Sequence, residues 1–305
     1  MSIIVKGGGG GKSSGLYVWK KYEAISYLSF IGNEDFTLKT ANTTKNWDGI
    51  LEYSTDTSTW NTWNGTEISS SGSKLYLRGI GNTKITGSSS NYKFVFTGTD
   101  ALKIACKGNI ENLLDYETVS AGGHPTMANS CYGYMFHGCT SLTTAPELPA
   151  TTLAFGCYGN MFNGCTSLTT APELPATTLV TGCYAYMFNG CTSLTSAPSL
   201  PATTLDVRCY AYMFYGCTSL TSAPALPATT LAGNCYRYMF NRCTKIKLST
   251  TQTGEYQTTY RIPKSGTGTT ATDALIDMFK DTGGTFTGTP SINTTYYLST
   301  SNIVV

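Results

Sequence analysis

Charge is scarce in this chain of 305 residues. Lys and Arg number 20 and Asp and Glu 18, together 12% of the sequence, against roughly 25% in ordinary soluble domains. A net charge of +2 excludes the basic stripe that a nucleic-acid partner needs to displace counterions. Between Leu113 and Val207 there is no Lys or Arg at all. Histidine is rarer still: His124 and His137 are the only two, which leaves little material for acid–base catalysis. No apolar run approaches the roughly 20 residues that span a bilayer, so no membrane span is expected. The opening MSIIVKGGGGGKSSG lacks the apolar stretch of about 7–15 residues found in a secretory leader. What the chain has in quantity is Gly (32), Tyr (21) and Cys (11).

These residues are organised by a repeat. CYGYMFHGCTSLTTAPELPATTLAFG (131–156) is followed by CYGNMFNGCTSLTTAPELPATTLVTG (157–182), CYAYMFNGCTSLTSAPSLPATTLDVR (183–208) and CYAYMFYGCTSLTSAPALPATTLAGN (209–234). A fifth copy begins at Cys235 and decays after Leu248. A constant period of 26 residues marks a solenoid, whose units are stable only when stacked. Within a unit, Cys131, Met135 and Cys139 lie at i, i+4 and i+8, which predicts one face of a short helix, with Tyr132 and Phe136 beside it. Gly138 is expected to end that helix. Pro146 and Pro149 force the second half into extended geometry. Each unit thus reads as a short strand, an extended crossover and a short helix, restacked about every 4.8 Å.

A different period governs residues 16–110. Leu75 and Leu77 alternate with Tyr76 and Arg78, and Phe94 and Phe96 with Val95 and Thr97, between turns rich in Gly, Asn and Ser. This predicts a β-sandwich, immunoglobulin-like, with 51–63 as a hairpin. Residues 1–15 read as a flexible Gly-rich lead, and 111–305 as the solenoid, with full repeats at 131–234 and a degenerate repeat and C-terminal cap at 235–305. The fold class is mixed β and α/β. Ala274–Gly284, with Met278 and Phe279, reads as a last degenerate turn covering the stack.

Candidate chemistry is thin. GGGGGKSS suggests a phosphate loop, but the first Gly of that pattern falls on Lys6, so a linker is the better reading. The cysteines occupy two repeat columns plus Cys106. A helix would hold Cys131 and Cys139 roughly 12 Å apart, too far for a bridge, so buried free thiols are expected, with bridges between neighbouring units sterically conceivable. No spacing suits zinc. His137 reads as a surface substituent, and neither histidine has catalytic company. No nucleophile–base set, metal or cofactor is expected. The columns that vary while the scaffold stays fixed are more informative. Tyr134, Asn160, Tyr186, Tyr212 and Tyr238 form one, and His137, Asn189 and Tyr215 belong to its neighbour. Together they make an aromatic and amide strip suited to sugars or to a protein. Simple shielding of the layer beneath is the competing reading.

The GCTSL motif preceded by Phe, with Leu-Pro before a Thr-rich turn, resembles the BspA-like leucine-rich repeats of bacterial surface proteins over about 113–248. It departs from them in its length, its Cys at 131, 157, 183, 209 and 235, and its Ala-Pro. The segment GLYVWKKYE (15–23) is similar to the start of some phage and prophage tail-associated proteins. These resemblances imply a non-enzymatic recognition protein binding a host or bacterial cell-surface glycan or protein, located in a phage tail or on a bacterial surface. The alternatives are a cell-surface adhesin and an accessory module of an enzyme system. The lead at 1–15 is a candidate point of assembly into an oligomer.

Overall fold

The computed structural model describes residues 27–262, 265–266, 273–292 and 294–299. The lead at 1–15 and the 15–23 segment lie outside them. The described part is mainly β, with a single α-helix. That helix is not long and apolar enough to cross a membrane.

The N-terminal half contains β1 (Leu28–Gly32), β2 (Thr37–Thr40), β3 (Ile50–Ser54), β4 (Asn61–Trp63), β5 (Ile68–Ser69), β6 (Lys74–Ile80), β7 (Phe94–Thr97) and β8 (Ile104–Lys107). Helix α1 (Asn112–Ser120) and strand β9 (Leu142–Thr144) follow. One sheet runs β4-β3-β6-β1-β8-β9 and a second β5-β2-β7; none of the described sheets closes on itself. The period-two runs bury alternate residues as their pattern requires: Leu75 and Leu77 are fully buried and Tyr76 is not. Phe30 of the first sheet meets Phe94 and Phe96 of the second, at 6.3 and 5.1 Å between ring centres. Strands β3 and β4 form the expected hairpin. It is tied to α1 through Arg78, whose guanidinium sits 4.1 Å from the Trp60 ring and 4.5 Å from Tyr116 while Nε donates to Glu52.

The repeats do stack, but not through helices. Residues 131–138, read from sequence as a short helix, form consecutive tight turns instead. Gly133, Met135, His137 and Cys139 donate their amides three residues back, to Ser130, Tyr132, Tyr134 and Phe136. The amides between them, of Tyr132, Tyr134, Phe136 and Gly138, cross to the carbonyls of Cys157, Gly159, Met161 and Asn163 in the next unit. Half the donors therefore serve the neighbour, which an α-helix cannot allow. Positive φ recurs every fourth residue, at Ser130 (54°), Tyr134 (60°) and Gly138 (71°), and the same holds in each later unit. The left-handed residue breaks any helical run at each turn.

This turn row carries the core of the stack. Met135, Met161, Met187, Met213 and Met239 are all fully buried. Phe136, Phe162, Phe188, Phe214, Phe240 and Phe279 form a parallel ladder with ring centres 5.4–5.6 Å apart. Tyr132, Tyr158, Tyr184, Tyr210 and Tyr236 form a second buried ladder at 5.5–5.9 Å. All eleven cysteines are buried and free. The extended half is joined more sparsely, by parallel bridges Thr144 to Thr170 and Thr170 to Ser196.

Further backbone pairing covers both ends of the stack. At the N-terminal end Ile85, the Thr86 hydroxyl and Phe94 donate to the carbonyls of Cys131, Gly133 and Met135, and β8 pairs in parallel with β9. At the other end lie β10 (Thr230–Leu231), β11 (Lys247–Ser249), β12 (Tyr256–Arg261), β13 (Ser265–Gly266), β14 (Gly283–Gly284) and β15 (Thr295–Ser299). Residues 273–281 stack as one more turn row, taking the amides of Tyr236, Tyr238, Phe240 and Arg242. That row is itself covered, since Phe279 N–H bonds the Gly288 carbonyl and Asp277 N–H the Thr289 hydroxyl.

Candidate functional site

The outer face of the turn row holds the variable columns. Tyr134, Tyr186, Tyr212 and Tyr238 are each half-buried, with φ of 56–60°. Each occupies the third position of a tight turn closed by the following residue's amide, a position that with positive φ favours Gly or Asn. Asn160 obeys that preference, as do Gly138, Gly164, Gly190 and Gly216 in the sister column. The tyrosines do not. Tyr186 and Tyr212 stack at 4.5 Å with planes 8° apart, and Tyr212 and Tyr238 at 4.7 Å and 15°. Burial raises the Tyr186 phenol above its ordinary value, with Tyr212 adding to the effect.

The neighbouring column joins this strip across each turn. His137 lies edge-on to Tyr134 at 5.6 Å and Tyr215 sits 5.9 Å from Tyr212. Asn189 is half-buried in the equivalent place. His137 is half-buried on this outer face, and its Nδ1 is enclosed without a hydrogen-bond partner. Burial, with Lys93 nearby, lowers its pKa and favours the neutral ring.

Beside the tyrosines runs a groove. A cavity of about 500 Å³ is lined by Tyr134, Phe155, Asn160, Tyr186, Val207 and Arg208, among others. It adjoins a second, of about 350 Å³, that shares Tyr186, Arg208 and Asn234 and continues to Tyr212 and Arg237. The floor column explains where the groove is deep. It reads Gly133, Gly159, Ala185, Ala211 and Arg237, so the floor is lowest at the glycines and rises at the arginine. Arg237 is held there by Asn234 and Asp273, at 3.2 and 3.1 Å. The far wall carries Phe155, 54% exposed, and Val207, 36% exposed, among the few large apolar side chains the surface shows.

A second feature escaped the sequence. His124 Nδ1 lies 2.8 Å from Glu111 Oε2, the carboxylate being buried and the ring mostly exposed. The two residues lie 13 positions apart and share no motif. Thr126, Thr151 and Thr152 line the cavity beside them, but no nucleophile–base–orienter chain is assembled, and the pair fastens the 124–127 segment to the start of α1. Among the described residues no group of three His, Cys, Asp or Glu side chains is placed to hold a metal. Glu147 and Glu173 are exposed. The Thr169, Thr195 and Thr221 column spends its amides, and the last two their hydroxyls, on the preceding unit's carbonyls. The chain matches no family model, no curated protein and no solved structure, so the strip and its groove have to be understood from their own geometry.

Proposed function

We propose that this protein is a non-enzymatic recognition protein that attaches to a cell-surface glycan or protein through the tyrosine strip and groove of its turn rows. On this reading the stack is a leucine-rich-repeat-like solenoid of the BspA-like kind, and the N-terminal sheets are the sandwich that mounts it. The 15–23 resemblance favours a phage tail as the setting.

One observation carries the reading. Four of five positions in a column whose backbone favours Gly or Asn hold Tyr, at a conformational cost of roughly 1–2 kcal/mol each. Strain of this kind collects where a side chain is needed for a task. The core does not need these rings, since the Phe and inner Tyr ladders already fill it. Tyrosine offers a partner a large contact area at low entropic cost.

The test is the double variant Tyr186→Asn, Tyr212→Asn, which gives the column the residue its backbone prefers. Attachment to target cells should fall at least tenfold with the thermal midpoint held within a few degrees. A large drop in the midpoint would mean the rings only shield the layer below. Thr169→Lys with Thr195→Lys, in the threonine column of the extended half, should leave attachment intact; its loss there would move the binding face.

A further inference from the structure

The outer tyrosine ladder lacks one rung. From Tyr186 to Tyr238 the rings stack face to face, so each interior face is already covered by a neighbour. At Asn160 the column carries an amide instead of a ring. Tyr134 and Tyr186 are therefore separated by two rungs, about 9 Å at the spacing of the rest of the ladder, which leaves room for one ring between them. The amide is drawn toward its own turn by Asn163, whose Nδ2 donates to Asn160 Oδ1 at 3.0 Å. The groove floor at this level is Gly133 and Gly159, and Phe155 stands on the opposite wall.

We infer that this slot binds one hexopyranose residue of a surface glycan, seated between Tyr134 and Tyr186. The inference rests on the recognition reading of the same face and names its ligand class. A pyranose chair has two C–H-rich faces, which stack on aromatic rings, and a belt of hydroxyl groups at its edge, which hydrogen-bond. The slot offers the matching pattern: an aromatic ring at each end, the Asn160 amide between them and the Ser130 hydroxyl one row away, with the Arg208 guanidinium farther along the same groove. An aromatic side chain of a protein partner would fill the same width but bring at most one polar substituent to that rim, where a pyranose brings several. The polar rim decides for the sugar.

Asn160→Tyr supplies the missing rung. Four other rows carry Tyr at this place, so the fold should persist, as circular dichroism and the thermal midpoint will show. On an array of hexopyranose-terminated glycans the wild-type chain should bind and the variant should lose at least tenfold in affinity. Methyl glucopyranoside, galactopyranoside or mannopyranoside should compete for the wild type. Tyr134→Asn, which removes one wall, should weaken binding too, and serves if Asn160→Tyr fails to fold. Equal glycan binding by wild type and Asn160→Tyr would overturn the slot. Attachment to cells through the tyrosine strip, with no glycan bound on the array, would overturn the sugar while leaving the recognition reading in place and pointing to a protein partner. Absence of both would overturn the two together.

Discussion

The carbonyl of Phe162 accepts two hydrogen bonds, one from the Cys165 amide of its own turn and one from the Cys191 thiol of the next unit, at 3.0 and 3.1 Å. The same thiol contact recurs at Cys165, Cys217 and Cys243, and Cys139 makes it to Phe94 of the N-terminal sheet. Alanine would lack the donor, and a larger aliphatic side chain would lack both the donor and the room. Cys191→Ala should therefore cost about 1–2 kcal/mol in urea unfolding, part lost bond and part cavity, with Cys191→Ser intermediate because its hydroxyl can still donate. Burial also pushes the thiols of Cys139, Cys157, Cys191, Cys235 and Cys243 up to about 12 from the usual 9. The folded chain thus keeps protons that the unfolded chain releases above pH 9. Thiol-linked stability is full below pH 9 and is lost as pH rises through 12. The urea midpoint should be insensitive to these groups at neutral pH and fall steeply beyond pH 9; an unchanged midpoint between pH 8 and 11 would contradict the burial of the thiols.

The turn row shows why a four-residue element can pass for a helix. Cys131, Met135 and Cys139 are buried at i, i+4 and i+8, a spacing that both a helix and a run of four-residue turns produce. The signal that separates them is Gly156, Asn160 and Gly164, residues tolerant of positive φ at every fourth position, which no helix interior would favour. Three glycine variants test the row. Gly216 has φ +71° and open surroundings, so Gly216→Ala should cost about 1 kcal/mol from backbone conformation alone. Gly159 lacks positive φ and shares its column with Ala185 and Ala211, so Gly159→Ala should stay within about 0.5 kcal/mol. Gly133 holds the same column place, yet its Cβ would lie 2.6 Å from the Gly87 carbonyl, and Gly133→Ala should destabilise far more than either. Chemical denaturation of the three gives the order. The period, the buried columns and the extra turn row at 273–281 were legible because they depend on residue type at fixed spacing. The Glu111–His124 pair was not, because it arises where a loop meets the start of α1 and leaves no local pattern. The Asn160 exception was visible as a residue, but its meaning depends on rings stacking across units.

At the scale of the molecule, the stack reads as a set of interchangeable rungs between two dissimilar ends. One contiguous core runs from the N-terminal sheets through the repeats to Met278 and Phe279, and each turn row bonds the next through the same atoms. Removing one whole unit should therefore let the flanking rows close on each other in register. A deletion of about half a unit would bring turn residues against extended ones and leave both sets of amides unpaired. Two whole-unit deletions then separate folding from recognition. Deleting 209–234 places Tyr238 on Tyr186 and leaves Tyr134, Asn160, Phe155, Val207 and Arg208 around the slot. Deleting 157–182 removes Asn160 and brings Tyr134 onto Tyr186, so the ladder becomes continuous and the slot closes. Both variants should give wild-type-like circular dichroism and one cooperative transition. Only the first should keep glycan binding within about threefold of wild type, and the second should lose at least tenfold. Equal loss in both would show that binding follows the number of units, whereas retention in the second would place the ligand elsewhere on the strip. The opposed outcome, from two deletions of the same length and nearly the same sequence, is what a single missing rung requires.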